Sequence, residues 1–170
     1  CLLNNNKVYK MKYFLTASLI IMISACTSYQ PPKNYNFQSE RVYELSYDNV
    51  WTKILGYLSE LGSPINHLDK NSGFINTEFT VSKNMFAKIM DCGVPADDLT
   101  TNKFENPMGR LNVIVSKVSD TKTKVKVTIT VRCNYNSYSY QNYRWNLVNS
   151  TVLDCNSTGY LEQQLLNSIY

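Results

Sequence analysis

The sequence predicts an α+β domain: an antiparallel β-sheet with two helices packed on one of its faces. Three observations carry this. Val125, Val127, Ile129 and Val131 alternate with Lys124, Lys126, Thr128 and Thr130, the period-two pattern of a strand in an antiparallel sheet with one wet face. Val50, Ile54, Leu55, Leu58 and Leu61 repeat at helical spacing, and so do Leu161, Leu165, Leu166 and Ile169 near the end of the chain.

Taken in order, Arg41 to Leu45 reads as a short strand. Ser46 is a good helix N-cap, and Asp48 adds negative charge to the first turn, where the helix dipole favours it. Gly62 ends this first helix and Pro64 prevents its resumption. Pro64 to Leu68 and Phe74 to Val81 form a hairpin about the turn-forming run Asp69-Lys70-Asn71-Ser72-Gly73, with Ile75, Thr77, Phe79 and Val81 on one face. Residues 82–109 have weak periodicity and read as a long excursion, with a helical turn near Asn84–Met90. Arg110 to Val118 and Lys122 to Arg132 form the clearest hairpin. Asn134 to Ser150 is an aromatic insert, and a helix from about Ser157 to Ile169, capped by Ser157 or Thr158, closes the chain.

Ahead of the domain, Lys10 and Lys12 flank the apolar run Phe14 to Ile23. A membrane-spanning helix needs roughly 20 apolar residues, whereas a signal-peptide core needs ~7–15, and the run fits the second. Residues 1–10 read as translated upstream sequence, with Met11 as the start. Ile23-Ser24-Ala25-Cys26 places an aliphatic residue and two small residues before a cysteine. The competing reading is a buried N-terminal helix with Cys26 as a core thiol; the basic flank and the polar stretch that follows favour the signal. The expected organisation is therefore upstream residues and signal peptide over 1–25, a segment that starts at Cys26 and forms a flexible tether over 26–40 (with Pro31-Pro32), and one domain over 41–170.

Lys7, Lys10 and Lys12 fall in the leader, and all 13 acidic residues lie beyond it. The remainder carries 14 basic against 13 acidic residues, a net charge of +1, so no charge field points to nucleic acid. An exported chain meets an oxidising compartment. Cys92, Cys133 and Cys155 then give one disulfide and one spare thiol, with three pairings open. Cys133 continues the inward parity of Val131, while Cys92 and Cys155 lie in apparent connections. This favours Cys92–Cys155, with Cys133–Cys155 next.

Catalytic readings find little to stand on. His67 is the only histidine, with no neighbouring nucleophile motif that would make it a base. Asp97-Asp98 is the one adjacent carboxylate pair and reads equally well as a helix start or solvated loop. No phosphate-cradling glycine loop occurs, and no compact Cys/His set suggests a metal. The expectation is a non-enzyme without cofactor or metal. The binding candidates are Tyr135, Tyr138, Tyr140, Tyr143 and Trp145 in the insert, since Tyr and Trp offer large contact area at low entropic cost. The alternative is that they merely cover the sheet, with Tyr138 and Tyr140 paired across strands.

Ile23-Ser24-Ala25-Cys26 resembles the lipobox of bacterial lipoproteins. The resemblance implies a Cys26 carrying palmitate-type acyl chains as the new N-terminus; two buried chains suffice for stable anchoring. With Thr27 following, it implies the outer membrane of a two-membrane host, with the domain facing the periplasm. The pattern Val50-Trp51…Leu61-Gly62-Ser63-Pro64-Ile65…Asp69-Lys70-Asn71-Ser72-Gly73-Phe74-Ile75 resembles helix-grip, BamC-like lipoprotein domains of the outer-membrane barrel-assembly machine. Cys155-Asn156-Ser157-Thr158-Gly159-Tyr160-Leu161-Glu162 is similar to the last helix start of a set of uncharacterised bacterial lipoproteins. Together these cover about residues 41–170 and imply a helix-grip fold. The Tyr-rich insert lies outside the family pattern, so no partner is carried over. The functional expectation is a membrane-anchored, non-catalytic accessory subunit of a cell-envelope complex that contacts an envelope protein; the alternative is a small-ligand or glycan-binding lipoprotein.

Overall fold

The computed structural model describes residues 29–95 and 101–170. Cys26, the signal segment and Asp97-Asp98 lie outside the described residues. The elements are β1 (Glu40–Tyr43), α1 (Tyr47–Glu60), β2 (Ile65–Asp69), β3 (Phe74–Thr80), α2 (Phe86–Ile89), β4 (Met90–Asp91), β5 (Thr101–Lys117), β6 (Thr123–Gln141), β7 (Arg144–Ser157) and α3 (Tyr160–Ser168). Among the described residues no helix is long and apolar enough to cross a membrane.

The domain is α+β, with an open seven-stranded antiparallel sheet in the order β2-β3-β5-β6-β7-β4, β1 lying beside the first part of β6. The inward side chains of β3, β5 and β6 (Ile75, Leu111, Val113, Val125 and Val127) are fully or almost fully buried beneath α1 and α3. On α1 the buried stripe is Val50, Trp51, Ile54 and Leu58. Leu61, expected to extend that stripe, is the exposed C-cap residue instead, because Gly62, in a left-handed conformation, turns the chain away. Ser46 takes an extended N-cap conformation without a side-chain cap bond. Apolar burial at ~25 cal/mol per Å² is the main stabilising contribution, and Gly109 shows how tight the packing is: the Phe79 ring occupies the space a Cβ would need.

Three expectations need correction. Residues 101–109, read as part of an excursion, belong to β5, and Thr101 to Glu105 pair with Tyr138 to Asn134 of β6. The aromatic insert is no separate element: Asn134–Gln141 continues β6, Arg144–Ser150 begins β7, and the two pair up to Gln141↔Arg144. Both stretches mix aromatic and polar residues on each face, so they lack the hydrophobic alternation that reveals a half-buried strand. The last helix starts at Tyr160 behind Gly159, not at Ser157, which ends β7. Ser157 and Thr158 instead accept the backbone N–H groups of Gly159 and Tyr160.

The stretch expected as a tether is, from Tyr29 on, a strap against the domain. Gln30 bridges Val94, the Lys33 N–H and Tyr35 hydroxyl donate to Asp91, Asn156 donates to the Lys33 carbonyl at 2.8 Å, and Val127 N–H donates to Ser39 O. Burial pushes the Asp91 carboxyl up, but bonds from Gly93, Lys33 and Tyr35 outweigh it and hold its pKa below the ordinary carboxylate value.

One polar contact completes the sheet. On its outer edge β6 pairs with β1 through Lys126 and with β7 from Val131 onward, leaving a gap between them. Glu162 of α3, 1% exposed, fills it. Its carboxylate accepts the Ile129 backbone N–H and the Ser157 hydroxyl at 2.9 Å. Burial pushes its pKa up, against the lowering effect of these bonds. The sequence signals this position only as the Glu of the Leu161-Glu162 pair.

Candidate functional site

The sheet extends beyond its helices as an arm. At its base β5, β6 and β7 run together; past Thr101↔Tyr138, among the described residues, β6 and β7 continue, closed by a two-residue turn at Asn142-Tyr143. Both turn residues have positive φ, 52° and 62°. Such turns favour Asn-Gly, since the second position suits a residue without a Cβ; a tyrosine there costs roughly 1–2 kcal/mol.

The five aromatic candidates separate into three environments. Tyr135 faces the helix side and joins a chain of rings, Tyr29–Tyr135–Phe104–Phe86, with successive centroids 5.6–6.0 Å apart; it is a packing residue. Tyr138 lies on the opposite, helix-free face. Its hydroxyl donates to Glu105 Oε2 at 2.6 Å, as does the Asn136 amide, and Ser150 donates to the other end of that amide. The bonds from Tyr138 and Asn136 hold the Glu105 pKa below its ordinary value. Tyr140 and Trp145 face each other across the strands with centroids 5.3 Å apart, and Tyr143 stands alone at the tip, 95% exposed. The expected pairing of Tyr138 with Tyr140 does not occur: Tyr138 opposes Leu147 and Tyr140 opposes Trp145. Leu147 and Val152, which sequence reading passed over, are exposed on the same helix-free face.

That face continues from the arm across the sheet as a shallow open trough of about 800 Å³. Its floor carries two ion pairs, Arg110 with Glu78 and Arg132 with Asp154, each at 2.7 Å, beside Asn112 and Asn134 and the exposed apolar side chains of Met108 and Val152. By contrast the space between α1 and the sheet is filled by Val50, Ile54 and Leu58. An apolar cleft of about 170 Å³ near Leu58 and Phe79 is what opens there.

Cys92 and Cys155 are joined in a disulfide that ties the segment after α2 to the end of β7. Cys133 is a buried free thiol, its Sγ 3.4 Å from that of Cys155, and burial pushes its pKa up to about 11. The three sulfurs lie within 4.8 Å of one another, but with two bonded together the cluster offers a ligand or nucleophile one thiol only. His67 lies on β2, exposed, its ring 5.7 Å from that of Phe74.

No protein-family model matches this chain, and no curated protein sequence does.

Proposed function

We propose that this protein is a membrane-anchored lipoprotein, held through Cys26 at the outer membrane, whose helix-grip domain faces the periplasm as a non-catalytic interaction module of a cell-envelope complex. The observation that carries the reading is Tyr143. A large aromatic side chain, almost wholly exposed, occupies a left-handed turn position where glycine is favoured. Local strain kept at an exposed tip is a feature of contact sites. Tyr140 and Trp145 stand beside it, half exposed, and aromatic residues of this kind are enriched at binding hot spots. Anchoring in a membrane plane raises effective concentration, so a modest interface suffices.

The test uses the full-length chain with a photo-crosslinkable residue at Tyr140, irradiated in intact cells. A discrete adduct with an envelope protein supports the reading, as does loss of function in a folded Cys26→Ser variant. Absence of any protein adduct from a folded, lipidated chain, or retained function in the Cys26→Ser variant, counts against it.

The trough supports a second reading, a glycan or other polar ligand. Its amide and paired charged groups offer donors and acceptors to hydroxyl groups, and farther out along the arm Tyr140 and Trp145 offer stacking surfaces. Saturable quenching of Trp145 fluorescence by cell-wall glycan fragments, absent in Trp145→Phe, would favour it over the first.

A further inference from the structure

Three sulfurs meet beside the strap. Cys133 on β6 and Cys155 on β7 lie one diagonal step apart, since Cys155 opposes Val131 and Cys133 opposes Leu153. Their Sγ atoms are 3.4 Å apart, and Cys155 is bonded to Cys92. All three residues are buried. A thiol held against a disulfide is the reactant pair of thiol–disulfide exchange. Val127, Ile129 and Val131 fill the same buried row of β6 with aliphatic side chains, so packing alone does not call for a thiol at position 133.

The strap is fastened to the segment that exchange would free. Tyr29 Oη donates to the Cys92 carbonyl at 2.8 Å. Gln30 and Val94 share two backbone hydrogen bonds, at 3.0 and 2.9 Å. Asp91 accepts the Lys33 N–H and the Tyr35 hydroxyl. Asp91, Cys92 and Val94 therefore all hold the strap, and this run is joined to β7 by the two residue pairs of β4 and by the disulfide.

The strap in turn restrains the reaction. Displacement at sulfur runs in line with the bond that breaks. A straight row of a 3.4 Å contact and an ordinary disulfide bond would set the outer sulfurs roughly 5.4 Å apart. All three sulfurs lie within 4.8 Å of one another, so they form a triangle, and Cys92 must swing outward as Cys133 closes on Cys155. Tyr29 and Gln30 hold Cys92 back, through its carbonyl and through Val94.

We propose that Cys92, Cys133 and Cys155 form a thiol–disulfide exchange site, in which Cys133 displaces Cys92 from Cys155 and so loosens the strap. Cys133 gives up its proton and its sulfur bonds Cys155 Sγ. The Cys92–Cys155 bond breaks, and its electron pair leaves on Cys92, which takes up a proton. Nothing is oxidised or reduced overall, and no co-reactant is needed. The new bond closes a sequence separation of 22 in place of 63. A longer closure restrains the unfolded chain more, so the Cys92–Cys155 form is the resting one. Burial keeps the Cys133 thiolate scarce, and exchange runs over minutes to hours.

The test holds the full-length oxidised chain in N-ethylmaleimide without reductant and maps labelled and disulfide-linked peptides with time. Label should accumulate on Cys92, together with a new Cys133–Cys155 link. Cys133→Ala keeps the native disulfide and should cut Cys92 labelling about tenfold. Tyr29→Phe removes the bond to the Cys92 carbonyl and should speed the labelling. Lys33 is exposed on the strap, and in the trapped form trypsin should cut after it about tenfold faster than in the resting form. Label on Cys133 beside an intact Cys92–Cys155 bond, or no label on either residue, would overturn the exchange. So would a labelling rate that climbs with urea in step with global unfolding. Unchanged cleavage after Lys33 would overturn the link to the strap.

Discussion

Tyr138 and Glu105 meet across two strands of the arm: the phenol hydroxyl donates to the carboxylate at 2.6 Å. With the Asn136 amide on the same oxygen, it holds the Glu105 pKa below its ordinary value of 4.5. A carboxylate with a lowered folded pKa contributes stability that is present above its unfolded value and lost as pH falls through its folded value. Tyr138→Phe should therefore raise the Glu105 pKa toward 4.5 and flatten the acid side of the stability profile. NMR titration of the Glu105 side chain, alongside urea melts at neutral and acid pH, checks both.

Glu162 has the opposite sign. Burial raises its folded pKa above the unfolded value, so the unfolded chain releases the proton first. Its protonated form favours folding at low pH, and that advantage falls away as pH rises from the unfolded pKa to the folded one. Glu162→Gln keeps an acceptor for the Ile129 N–H and should remove this segment of the pH dependence. Glu162→Ala leaves both that N–H and the Ser157 hydroxyl without their partner, and should cost about 1–3 kcal/mol. Denaturant midpoints across pH for the three proteins separate the charge effect from the hydrogen bonds.

The cysteines should behave unequally. Cys133, buried and with its pKa near 11, should react with maleimide on peptide mapping only after denaturation, because the thiolate is the reactive form. Replacing both Cys92 and Cys155 by serine opens a closure across a sequence separation of 63. It should lower stability by about 2–5 kcal/mol, read from urea unfolding under non-reducing conditions.

Tyr143→Gly should relieve the left-handed turn and stabilise the arm by about 1 kcal/mol, seen as slower amide exchange in β6 and β7 near the turn. On the interaction reading, the same variant should lose crosslinking at Tyr140. A more stable arm with undiminished crosslinking would remove Tyr143 from the contact.

Several features were legible in the residues themselves. The α1 stripe, the β2–β3 hairpin and the β5–β6 hairpin beyond Arg110 follow from period and punctuation: Ile75, Val113 and Val127 alternate because their neighbours face water, and Gly62 and Pro64 stop a helix by local backbone geometry. Parity also separated Cys133 from the bonded pair. These are short-range properties, and sequence carries them directly.

Tertiary structure decided the rest. Thr101–Glu105 and Asn134–Ser150 become strands because each supplies the other's backbone partners, and their side chains, aromatic and polar mixed on both faces, hold no record of that pairing. The same register sends Tyr135 into the ring cluster and Tyr138 and Tyr140 to the helix-free face, dividing five residues that look alike in sequence. Glu162 gained its place only when β1 and β7 left a gap on β6 that one buried carboxylate could fill. Local propensity sets which segments are helix or strand, whereas which edge stays open, and which aromatics stand exposed beside it, depends on contacts between residues distant in the chain.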